Sequence, residues 1–166
     1  MRTGVRLAVD VGTSRIGLAR SDATGTLAVP LEAIRAGEQS VATVAALAAE
    51  WEAIEVIVGL PLHLDGRPGA SAHLAREWAT ALHSLSGLPV LMVDERLSTA
   101  QAQRALREAG LSTRQSRSLI DSASAVMVLQ GALDQEARTG RAGGESVWTA
   151  ETRGGSNDEP ARSDDD

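Results

Sequence analysis

Cysteine is absent from this chain, which excludes disulfides, thiolate metal sites and cysteine nucleophiles together. Phenylalanine and tyrosine are also missing, so Trp51, Trp78 and Trp148 are the only aromatic side chains. That scarcity argues against single-strand recognition on a row of aromatic stacking platforms. Lysine is absent as well, and all sixteen basic residues are arginine, a bias that fits an Ala-rich, GC-biased coding sequence. No run of eighteen apolar residues occurs, so no transmembrane helix and no membrane partner are expected. The N-terminus lacks the apolar segment of a signal peptide, which makes cytoplasm the expected compartment.

What is present amounts to one domain: 166 residues can bury an ordinary core. The net charge of −6 is unevenly distributed. Residues 134–166 carry nine acids against four arginines, whereas the preceding 133 residues carry thirteen against twelve. An acidic balance located in the C-terminal part leaves a nucleic-acid partner open for the rest.

The apolar pattern predicts a mixed α/β domain over residues 1–138. Arg6–Asp22 (RLAVDVGTSRIGLARSD) reads as two strands folded about Gly12-Thr13-Ser14, and Thr26–Arg35 as a third strand with Pro30 at an edge or a bulge. Ser40 is placed to cap a helix whose apolar positions are Val41, Val44, Leu47, Ala48 and Trp51. Ile54–Leu60 is a buried strand, Ala70–Leu85 a helix and Pro89–Val93 a fifth strand. Ser98-Thr99-Ala100-Gln101 matches a capping box for a helix ending at Gly110, and Ser112 to about Ala137 reads as the last helix. The order βββαβαβαα predicts a five-stranded mixed sheet, three strands antiparallel, flanked by helices. From about Thr139 the composition turns to Gly, Ser, Asp and Glu, and residues 139–166 read as an acidic, disordered tail.

Three acids have unusual neighbourhoods. Asp10 follows Leu7, Ala8 and Val9 inside a strand, where a lone carboxylate is costly unless compensated. Glu95 lies where the fifth strand ends, the end at which open α/β sheets place ligands. Asp121 follows Leu119-Ile120 in the last predicted helix and borders its buried face. Converging, they would offer oxygen ligands to Mg²⁺ or Mn²⁺. Two such ions about 4 Å apart stabilise both the attacking and the leaving oxygen of a phosphodiester displacement. Gly12 would admit a close backbone approach, with Thr13, Ser14 and Arg15 offering donors beside it. Spacing alone equally allows Asp10 as a turn cap, Glu95 as a salt-bridge partner of Arg96, and Asp121 as a helix-face acid. His63, in the loop after Gly59-Leu60-Pro61, is the histidine nearest these acids in the predicted order, with His73 and His83 on a helix away from them.

Four segments resemble the YqgF/RuvX family, described as Holliday junction resolvases and pre-16S rRNA nucleases: LAVDVGTSRIGLARSD (7–22), VGLPLHLDG (58–66), DERLST (94–99) and IDSASAVMVLQ (120–130). They stand in family order and spacing and span nearly the whole body. The resemblance implies an RNase H-like fold and metal-dependent phosphodiester cleavage, with Asp10, Glu95 and Asp121 as catalytic, metal-holding carboxylates. With those acids at the reacting phosphate, Arg15 and Arg96 are expected to position it by bidentate donation, and Thr13, Ser14 and Thr99 to add hydroxyl or amide contacts. Three positions depart from the pattern. Ala8 stands where the family usually has Gly, Ser14 where Lys is common, and Ser124 where Ala is usual. The loss of Lys at position 14 leaves Arg15 and Arg96 as the phosphate contacts.

Substrate recognition is then expected through backbone and shape, by Arg104, Arg107, Arg114 and Arg117. Structured precursor rRNA and a four-way DNA junction both satisfy that, the latter calling for a homodimer where the former allows a monomer. Two rivals stand beside this reading. Asp10-Val11-Gly12-Thr13-Ser14 could pass for the first phosphate loop of the sugar-kinase, actin and Hsp70 ATPases, but those need two such domains. A non-catalytic binder of RNA or the transcription machinery on the same fold is the other.

Overall fold

A computed structural model describes residues 2–63, 65–95 and 121–147. Its elements are β1 (Arg6–Val11), β2 (Arg15–Ser21), β3 (Ala28–Arg35), α1 (Gln39–Glu50), β4 (Glu55–Leu60), α2 (Ala70–Ser86), β5 (Val90–Asp94), α3 (Ala123–Thr139) and β6 (Glu145–Ser146). They form one sheet in the order β3-β2-β1-β4-β5-β6. β1–β2 and β2–β3 pair antiparallel, β1–β4 and β4–β5 parallel, and β6 antiparallel to β5. The mixed α/β, RNase H-like expectation therefore holds. Pro30 lies on the edge strand β3, where its missing N–H costs no ladder bond on the open side.

Side-chain alternation along the strands divides the core into two layers. Leu7, Val9, Val56, Val58, Val90 and Met92 pack with Val44, Ala48, Trp78 and Leu82 of α1 and α2. Ala8, Ala19, Ile57 and Val93 pack with Ala125, Leu129 and Leu133 of α3. Small side chains at 8 and 19 let α3 lie close to β1 and β2. Asp10 alternates with Ala8 and so belongs to the α3 face of the sheet.

The structure corrects several expectations. The sheet has six strands, because Glu145–Ser146, within the segment read as tail, pairs with Leu91 and Met92. A two-residue strand in a Gly-rich acidic stretch leaves no periodicity to read. Ser40 does not cap α1: Glu38 holds that position, and Ser40 Oγ donates to Gly37 O and accepts from the Trp78 indole N–H. Trp51 is not core packing; it ends α1 at 37 % exposure with the Arg20 guanidinium 4.3 Å from its ring centre. The capping box at Ser98, the helix to Gly110 and Arg104, Arg107, Arg114 and Arg117 lie outside the described residues.

Candidate active site

β1, β4 and β5 run parallel, so their C-terminal ends meet on one side of the sheet. Asp10 sits at the end of β1, Gly59-Leu60 at the end of β4, and Glu95 directly after β5. Val9 pairs with Val58 and Gly59 with Val93, which sets Asp10, Gly59 and Glu95 side by side. A Cβ on Gly59 would stand 2.6 Å from Glu95 Oε1 and 3.1 Å from its Cγ. The Glu95 side chain thus lies over the one residue of β4 that leaves room for it. This approach is not among the sequence expectations, although a glycine within a β-branched buried strand could have signalled it.

Glu95 Oε1 is buried and has no hydrogen-bond partner among the described residues. Burial first, then the hydrogen bond and negative charge of Asp10, then the charge of Asp94, raise its carboxyl from 4.5 to about 8. Two carboxyl groups within hydrogen-bonding reach bond only while one keeps a proton, and Glu95 is the one whose proton is held more tightly than usual. A buried, unpartnered carboxylate oxygen facing a second carboxylate is a donor set suited to a hard divalent cation in place of that proton.

Asp121 lies elsewhere in its surroundings. It is not within a helix; it precedes α3, which starts at Ala123 after the cap residue Ser122. Ser122 is fully buried, accepts from Leu18 N at 3.0 Å and donates to Leu31 O at 2.6 Å, fastening the start of α3 to β2 and β3. A Cβ on Gly17 would stand 2.4 Å from the Asp121 carbonyl oxygen. Gly17 is the cross-strand partner of Asp10, so the backbone of Asp121 passes beside the Asp10 strand. Its side chain instead makes a half-exposed ion pair with Arg15, Nε to Oδ2 3.6 Å. Among the described residues no group of three His, Cys, Asp or Glu side chains is gathered closely enough to hold a metal ion. Arg15 thus takes the Asp121 carboxylate, while Asp10 and Glu95 meet each other.

Gly12 serves its own hairpin. Its N–H donates to Arg15 O at 3.0 Å, and a Cβ there would meet that oxygen at 2.4 Å. The tight turn leaves Thr13, Ser14 and Arg15 exposed at the strand ends, and Ser14 O accepts from Ala36 N. Arg96 and Thr99 lie outside the described residues. His83 bonds Leu88 O through Nδ1 at the end of α2, and His63 is exposed in the loop after β4.

The domain is an RNase H-like α/β sheet with Asp10 and Glu95 together at its parallel strand ends. Residues 4–135 match the family model described as RuvX: Holliday junction resolvase, and the chain belongs to that family. A protein of Thermobifida fusca named "Putative pre-16S rRNA nuclease" is 51 % identical over 156 residues, covering 89 % of this chain and 98 % of the relative. A Streptomyces coelicolor protein of the same name is 44 % identical over 150 residues, covering 89 % and 90 %. Among solved structures, Thermus thermophilus RuvC in complex with Holliday junction substrate is similar in fold. It superimposes with a TM-score of 0.60 at 19 % identity over 86 % of this chain and 99 % of that one. Among the described residues no helix is long and apolar enough to cross a membrane.

Proposed function

We propose that the protein is a nuclease dependent on Mg²⁺ or Mn²⁺ that processes the 5′ end of pre-16S rRNA in the cytoplasm. The observation that carries this reading is the buried, unpartnered Glu95 oxygen beside Asp10 at the parallel strand ends. A domain that only bound RNA would have no use for two acids set against each other at the strand ends. The relatives at 44–51 % identity carry the rRNA-nuclease name, which favours RNA over other polynucleotides.

Asp10 and Glu95 would hold the cation, and Asp121 would complete the set on release from Arg15. A divalent cation there supplies Lewis-acid activation of the phosphodiester and of the attacking water. Gly59 gives Glu95 its place, and Ser122 and Gly17 fix where Asp121 begins. Arg15, freed from Asp121, would donate to the phosphate, with Thr13 and Ser14 beside it and Arg96 and Thr99 following from the family pattern.

Purified protein in Mg²⁺ or Mn²⁺ should cleave a precursor 16S rRNA 5′ leader, and Asp10→Asn, Glu95→Gln and Asp121→Asn should each abolish cleavage. Absence of cleavage, or cleavage that survives all three changes, would overturn the assignment. The family description supports a second reading, resolution of a four-way DNA junction. Junction cleavage by a homodimer, with the leader left intact, would select it over an rRNA nuclease acting as a monomer.

A further inference from the structure

On the other face of the β1 end, away from the Asp10 carboxyl, lies a cleft of about 470 Å³. Val11, Ile16, Val41, Leu74 and Trp78 give it apolar walls, and its lip is Gly12-Thr13, the turn that follows Asp10. Its remaining polar groups are telling. Glu38 and Glu77 line it and are exposed, and among the described residues no arginine does. Leu74, an exposed apolar residue at 40 %, belongs to the same wall. The Trp78 indole N–H is already held by Ser40, which fixes the ring as part of the wall.

Two carboxylates repel a phosphate and accept hydrogen bonds from amino groups. Apolar walls with acceptors beside them suit a nucleobase with an exocyclic amino group, guanine best, because its N1–H and amino N–H present two parallel donors to one carboxylate. We propose that this cleft takes an unstacked, amino-bearing base of the bound strand, next to the phosphate held at the Gly12-Thr13 turn. The inference rests on the nuclease reading and sharpens it. The nucleotide beside the cut must be unpaired, which fits a single-stranded precursor end and not a fully paired junction arm. Trp78 then contributes to recognition as well as to the core.

Saturation-transfer NMR with guanosine, uridine and ribose 5-phosphate tests the cleft without any cleavage. Transfer should reach guanosine above uridine, be absent for ribose 5-phosphate, and be lost in Leu74→Glu, an exposed position whose melting temperature should be unchanged. Glu77→Gln should weaken the guanosine signal while leaving the fold intact. An oligoribonucleotide with one guanine should bind Leu74→Glu about tenfold more weakly, and the loss should vanish when that base is abasic. No transfer to guanosine, equal transfer to uridine, or transfer unaffected by Leu74→Glu would overturn the proposal. Guanosine binding that Leu74→Glu removes without weakening the oligonucleotide would assign the cleft to a free nucleotide and overturn it too. Loss of cleavage in Asp10→Asn or Glu95→Gln reports on the nuclease reading separately.

Discussion

The two ends of one sheet treat their acids in opposite ways. At the end where β1 and β4 begin, Glu55 and Glu136 are buried, and arginines answer both. Arg2 bonds Glu136 at 2.7 Å and Glu55 at 2.8 Å, and the fully buried Arg6 reaches Glu136 at 3.2 Å. The Arg2 bond, against some loss of hydration, holds the Glu136 carboxyl below its usual range. At the opposite end, Asp10 and Glu95 face each other, and Glu95 is driven upward. Compensated acids fasten α3 to the strands; at the other end the proposal gives the compensating role to a cation. A strained group at one end and a satisfied one at the other is how a stable scaffold carries a reactive site.

The comparison breaks most forcefully at the arginine end. Arg6→Met leaves Glu136 with a lesser share of its partners inside the protein, and should cost about 3–5 kcal/mol in chemical denaturation. At the other end the loss should fall on activity. Asp10→Asn or Glu95→Gln should lower cleavage more than about 100-fold, beyond the cost of losing an outer-shell partner, with the melting temperature held or raised. Gly59→Ala pushes its Cβ against Glu95 Oε1 and displaces that carboxylate, which should lower the cleavage rate by up to about 100-fold.

Titration sharpens the contrast further. Glu95 in the folded protein holds its proton up to about pH 8, whereas the unfolded chain releases it near 4.5. Between those values the folded state binds more protons, so stability of the cation-free protein falls as pH rises through that window. Thermal melts from pH 5 to pH 8 should show the decline, and Glu95→Gln should flatten it. The smallest effect belongs to Arg15→Ala, which removes an exposed ion pair with Asp121 and should change stability by less than about 1 kcal/mol.

Much of this fold was legible because strands and helices announce themselves locally. The β-branched run at 54–60, the short apolar run at 89–93 and the Asp inside β1 needed only their neighbours in the chain. What sequence could not supply was long-range. The Arg6–Glu136 pair joins residues 130 positions apart, and no pattern near either one points to the other. Ser122 reads as an ordinary helix cap until its hydroxyl is seen spanning β2 and β3. Asp10 and Glu95 were legible as candidates, yet their contact depends on the vacancy over Gly59, which is a fact of packing. Asp121 was placed in a helix because Leu119 and Ile120 continue the apolar pattern, and the chain turns just there.

The central claim is that the Asp10–Glu95 pair is a cation site. The most direct measurement is the melting temperature at pH 8 as Mn²⁺ is added to wild type and to Glu95→Gln. A saturable rise in the wild type that Glu95→Gln loses is the predicted result. An equal rise in both proteins, or none in either, would contradict it.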